Sequence, residues 1–132
     1  MKPPQLSGLK LWEAGEEWIV YLYRLRGYQV LERNYAIYWQ KKIGEVDIIC
    51  RAGRRIVMVE VRTRENERFM DIPETINFRK QSYLRRMAKL FIQQHPQYAD
   101  YDLQIDVAAV LMDPVDNAVK SVRLIENAIE DT

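Results

Sequence analysis

Apolar residues return at helical spacing near the start of the chain, then give way to the two-residue alternation of strands. Trp12, Ile19, Leu22 and Tyr23 fall on one helical stripe with Gly15 on the same side. Ser7 suits the N-cap and Gly27 the stop, so the pattern predicts a helix from Ser7 to about Arg26. Gln29 to Tyr38 reads as a first strand, with Tyr35, Tyr38 and Trp39 giving β-favouring bulk. Two β-branched blocks follow, 44–49 and 59–64, and Gly53 between them supplies a hairpin turn. A loop from Glu65 to Asn77 contains Pro73, and a second helix runs from Phe78 to Gln94, ended by His95-Pro96. Its inward positions are Leu84, Met87, Ala88 and Phe91. Leu103 to Met112 and Val119 to Ile125 are the last strands, with a short terminal helix after them. The order αβββαββ predicts an α/β (α+β) domain, a mixed sheet flanked by helices, over residues 1–132. Residues 1–7 and 127–132 are expected to be loose.

Composition narrows this picture little, but charge changes it. With 132 residues, 48% apolar and 30% charged, the chain suits one globular domain with a single core. It holds no apolar run of membrane-spanning length, and its start lacks the apolar segment of a signal peptide. One cysteine, Cys50, cannot form an internal disulfide, so a reducing, cytoplasmic setting is expected, with Cys50 a small core residue. The net charge of +1 conceals a division. Residues 24–89 carry 16 Lys+Arg against 8 Asp+Glu, a balance of +8, whereas residues 96–132 carry 2 against 8, a balance of −6. A basic stretch inside a near-neutral protein is the footprint of a phosphate-binding face. Segregation on a merely solvated surface is the alternative.

The chemistry concentrates in the central hairpin. If its loop is Gly53-Arg54, or Ala52 to Arg55, partners across it have numbers summing to 107, and Asp47 faces Glu60. Like charges directly opposed are destabilising, and two carboxylates at about 5 Å call for a cation between them. Arg62 projects from the face of Glu60 because side chains alternate along a strand. Asp47 and Glu60 are therefore expected to hold Mg²⁺ or Mn²⁺, leaving open positions for water and phosphate. A carboxylate pair neutralised by Arg62 and Lys80, with no metal, is the alternative. Glu16 lies in the apolar stripe of the first helix, four residues after Trp12, so it points inward and needs a partner. Lys80 lies on the line of Leu84, Met87 and Phe91 and would return positive charge to the site. Lys41 and Lys42 among aromatics, with Arg64, Arg79, Arg85, Arg86 and Lys89, are candidate contacts to nucleic acid. A lone histidine, a lone cysteine and five scattered glycines argue against histidine-based hydrolysis, a structural zinc and a phosphate-cradling loop.

Asp47, twelve intervening residues and then Glu60-Val61-Arg62 resemble the PD-(D/E)xK motif of restriction-endonuclease-like nucleases, with arginine in the lysine place. The match is closer to the YraN family of small bacterial proteins. It is carried by Gly15-Glu16-Glu17, Gly27 to Leu31, Arg33-Asn34-Tyr35, Gly44 to Asp47, Val59 to Arg64, Lys80 and Ile105-Asp106-Val107. It spans about residues 8–128. The resemblance implies an endonuclease-like core, DNA as the partner, catalytic residues Asp47, Glu60, Arg62 and Lys80, and Glu16 as a helix-borne acid near the metal. Three departures stand out: Met70 where a glycine is common, Gln104 where arginine is expected, and a longer loop from Ala36 to Ile43. Arg62 matters most. Arginine cannot serve as a base, though it can clamp a phosphate.

The leading expectation is a Mg²⁺-dependent nuclease acting on structured or damaged DNA, with room for a dimer. A non-catalytic nucleic-acid-binding module on a silenced site is the second reading, favoured by Arg62. A protein-interaction adaptor using the acidic C-terminal segment is the third.

Overall fold

The computed structural model describes residues 1–65 and 78–128, apart from the side chain of Phe78. Helix α1 (Leu11–Leu25) leads into strands β1 (Gln29–Trp39), β2 (Lys41–Ala52) and β3 (Arg55–Arg64). Helix α2 (Phe78–Gln94) and a 3₁₀ turn (Pro96–Tyr98) precede β4 (Asp102–Met112) and β5 (Val119–Ile125). The five strands form one sheet in chain order. Only β3 and β4 run parallel, joined by the crossover that contains α2. The expected αβββαββ order and mixed sheet are what the structure has.

Each helix buries its stripe on a different face of the sheet. Ala14, Ile19, Val20 and Tyr23 of α1 pack on Ile48, Cys50, Val57 and Val59. Leu84, Met87, Ala88 and Phe91 of α2 pack on Ile49, Ile56 and Met58, the alternate residues of the same strands. Cys50 is buried and free. Asp106, on β4, is buried as well. It accepts from the Tyr23 hydroxyl, from Gln104 Nε2 at 2.8 Å and from the Asn127 amide at 2.9 Å. Gln104 thus serves as a donor to Asp106.

Three expectations change. The first helix begins four residues after Ser7, with Lys10 at its cap, because Gly8 takes a left-handed φ of 83° and makes a turn. Trp12 is half-exposed rather than inward. The segment Ala36 to Ile43 is not a loop, since β1 and β2 pair out to Trp39↔Lys41 and only Gln40 turns the chain. Leu6 is buried, Asn117 Nδ2 donates to the carbonyls of Leu6 and Leu9, and the Ala128 amide donates to Ile105. Met70, the loop around Pro73 and most of the expected terminal helix lie outside the described residues.

Candidate functional site

The central hairpin has the two-residue loop Gly53-Arg54, with Gly53 at a φ of 59°. Its pairs, from Ala52↔Arg55 to Ile48↔Val59, all sum to 107. One step further stand Asp47 and Glu60, where the ladder ends. There the Val61 amide donates to Asp47 Oδ2 at 2.8 Å instead of to the β2 backbone. The two carboxylates therefore sit where β2 and β3 part, with Glu60 on the face covered by α2. Burial and the Glu60 charge push the Asp47 carboxyl up to about 6, against the pull of the Val61 amide. Lys80, from the first turn of α2, reaches Glu60 Oε1 with its ammonium at 3.0 Å and lies 4.9 Å from the centre of the Tyr83 ring. Arg62 shares this face. It is half-buried, and its Nε is closed from water without a hydrogen-bond partner.

Two glycines make the assembly fit. A Cβ on Gly44 would sit 2.0 Å from the Tyr83 hydroxyl, which accepts from the Glu45 amide at 3.2 Å. The hydroxyl end of Tyr83, from α2, packs over this bare Cα at the start of β2. A Cβ on Gly15 would meet the Thr63 hydroxyl at 1.9 Å, so α1 rests directly on the end of β3. That contact brings Glu16, 6% exposed, to the same end of the sheet from the opposite face. Burial first and the Asp47 charge second raise the Glu16 carboxyl to about 7, while the Asn34 side chain favours its ionised form. Glu16 Oε1 is buried without a partner. Asn34 stands in β1 between the pairs Arg33↔Ile48 and Tyr35↔Val46, across from Asp47, with a φ of 49° that asparagine tolerates best among non-glycine residues.

The structure thus brings Asp47, Glu60, Arg62 and Lys80 to one end of the sheet and Glu16 close behind. Among the described residues no three His, Cys, Asp or Glu side chains gather tightly enough to hold a metal ion. Glu16 stands apart from the strand pair. Two carboxylates on neighbouring strands still fit Mg²⁺, which takes one or two protein carboxylates and keeps several positions for water and substrate oxygens.

The candidate nucleic-acid contacts divide. Arg79, Arg86 and Lys89 lie on one exposed stripe of α2, with Arg85 half-buried on its flank. Lys41 is exposed at the tip of the β1–β2 hairpin, and Lys42 there pairs with Glu45. Arg64, at the end of β3, donates to its neighbour's carbonyl, Thr63 O, at 2.8 Å. Other cations of the basic stretch are taken up by acids, Arg26 by Glu126, Arg54 by Asp100 and Arg33 by Glu17.

Asn34, Tyr83 and Thr63 escaped the reading of the sequence. Tyr83 follows Lys80 by three residues, one turn of the helix, so it shares that face. Asn34 and Thr63 lie in stretches that carry the resemblance, but their part in the site shows only in the contacts of the folded chain.

The sequence model of the family described as "Uncharacterised protein family UPF0102" matches residues 15–110. A protein of Caldicellulosiruptor saccharolyticus named "UPF0102 protein" is 39% identical over 119 residues, 90% of this chain and 96% of that one. One of the same name from Alkaliphilus metalliredigens is 35% identical over 118 residues, 89% and 96% of the two chains. The Dictyoglomus turgidum protein of that name is 30% identical over 109 residues, 83% and 88% of the two. With that match over most of its length, and with Gly15, Asn34, Gly44, Asp47 and Glu60 meeting at one end of its sheet, this chain is a member of family UPF0102, the YraN family.

Proposed function

We propose that this protein is a Mg²⁺-dependent endonuclease-like protein that binds DNA and cleaves its phosphodiester backbone. The observation that carries this reading is the meeting of Asp47 and Glu60 where β2 and β3 part, with Arg62 on the same face and its Nε unpartnered. Asp47 and Glu60 would hold the ion. A bound divalent ion there supplies charge for the phosphoryl oxygens and acidifies a water. An arginine side chain does not serve as a base, so Arg62 holds phosphoryl oxygens and leaves the attacking water's proton to another acceptor. Lys80 pairs with Glu60 at 3.0 Å and would be available to phosphate oxygens if Asp47 and Glu60 held a cation. The cationic stripe of α2 begins at Arg79, beside Lys80, and carries the backbone away from the site.

A second reading has its own support. The Lys80 ammonium already stands 3.0 Å from Glu60, supplying from the protein the charge a metal would bring. A DNA-binding module without cleavage would look the same. The experiment that separates them is cleavage of labelled single-stranded, branched and nicked DNA with Mg²⁺ or Mn²⁺, by wild type and Glu60→Gln. Metal-dependent cleavage that Glu60→Gln abolishes, with binding retained, supports the nuclease. Binding without cleavage by any form supports the module.

A further inference from the structure

Behind the carboxylate pair lies a cleft of about 260 Å³ between α1 and β1, lined by Trp12, Glu16, Glu17, Arg33 and Asn34 among others. It is smaller than the ~300–1,000 Å³ of pockets for drug-sized ligands and suits a single ring system. We propose that this cleft receives one unpaired nucleobase bearing an amino group, from the nucleotide next to the phosphate held at Asp47 and Glu60. The proposal rests on the nucleic-acid reading above and deepens it, because a base can enter only if it is out of its pair.

Three features point this way. Trp12 is 50% exposed, an indole left in water on the helix face that carries Glu16 one turn later. An exposed aromatic ring is a stacking platform for any base. The polar groups of the cleft are almost all used: Glu17 pairs with Arg33 at 2.7 Å, and Glu13 accepts from the Lys10 amide at 3.1 Å. Of the buried side-chain polar atoms of the cleft, Glu16 Oε1 is left unpartnered, and a carboxylate oxygen asks for an N–H. Adenine, cytosine and guanine offer an exocyclic amino group. Thymine offers a single N3–H between two carbonyl oxygens, which a carboxylate repels. Finally, the cleft adjoins the site: Asn34 stands across from Asp47 in the β1–β2 register, and Glu16 feels the Asp47 charge.

The test is binding of short oligodeoxycytidylate and oligodeoxythymidylate at pH 8 in EDTA, read by fluorescence anisotropy, with cleavage measured separately in metal. Wild type should prefer the cytosine strand by about tenfold. Trp12→Ala should weaken that strand by about tenfold or more, and Trp12→Phe should restore most of it. Glu16→Gln should erase the preference, because a neutral amide loses its advantage for the amino group and no longer repels the thymine carbonyls, and circular dichroism melting should show all three variants folded. Equal affinity of wild type for the two strands, or indifference to Trp12→Ala, overturns the cleft as a base site and leaves the nuclease reading standing. Failure to bind either strand, or any duplex or branched DNA, overturns both.

Discussion

Asp47 is the residue on which the site turns, because the fold holds its carboxylate in conditions unfavourable to charge. Its carboxyl is raised to about 6 from an ordinary 3.8, and Glu16 to about 7 from 4.5. A group raised on folding binds more protons in the native state, so its contribution to stability is full below the unfolded value and lost as pH rises through the folded one. The metal-free protein should therefore lose stability between about pH 4 and pH 8, on the order of 2 kcal/mol for Asp47. Asp47→Asn keeps an oxygen for the Val61 amide and removes the charge. It should melt higher than wild type at pH 8 and no higher at pH 4. Mg²⁺ at a hundredfold excess over its Kd should stabilise wild type by about 2.7 kcal/mol and leave Asp47→Asn unmoved. Thermal melts across pH, with and without Mg²⁺, check both; a destabilised Asp47→Asn at pH 8 would mark the carboxylate as a structural anion. Arg62 gives a second prediction. If the protein cleaves, Arg62→Ala should slow cleavage by about 10²-fold, the worth of one preorganised donor, whereas Arg62→Lys should keep or raise the rate. Equal rates in wild type and Arg62→Ala would move that role to Lys80.

Among the elements, the contact of α1 with β3 decides where Glu16 stands. Thr63 is buried and short, so an alanine at Gly15 leaves its hydroxyl no room to retreat and must push the helix off the strand. Gly15→Ala should cost about 1–3 kcal/mol, as overpacking does. Gly44→Ala should cost less, because the group it meets is the far end of Tyr83, which can swing at the loss of one hydrogen bond to Glu45. Urea denaturation of the two variants compares them directly, and a Gly44→Ala protein weaker than Gly15→Ala would reverse this account. These contacts also mark what the sequence made legible. The register that sets Asp47 beside Glu60 followed from turn length, and the inward face of α2 followed from period, since both are local geometry. The tip of the β1–β2 hairpin, Ala36 to Ile43, reads as a loop in the sequence because Gln40, without glycine or proline, gives no turn signal at its left-handed φ of 68°. Trp12 was placed inside because hydrophobicity alone cannot tell a core residue from an aromatic left in water beside a cleft.

Charge belongs to the whole molecule, and folding redistributes it. The division of +8 and −6 along the chain is bridged in the fold, where the C-terminal acids Asp100 and Glu126 bind Arg54 and Arg26 out of the basic stretch. Exposed cations among the described residues include Arg79, Arg86 and Lys89 on one stripe of α2 and Lys41 on the hairpin tip. Four such contacts on duplex DNA would give a slope of log affinity against log salt of about −3.6, since each neutralised phosphate releases counterions. Arg86→Ala and Lys89→Ala should each reduce that slope by about 1 and weaken every sequence alike, having no contact with base edges. Arg54→Ala should leave it unchanged, because that guanidinium sits at the turn of the central hairpin, five residues and more along β3 from Glu60, engaged by Asp100 and lying over Tyr101. Titrations at several salt concentrations distinguish the cases. A slope near zero would mean that no phosphate is bound, and a slope as sensitive to Arg54 as to Arg86 would mean that the polyanion follows the chain's overall charge rather than the stripe that starts beside Lys80.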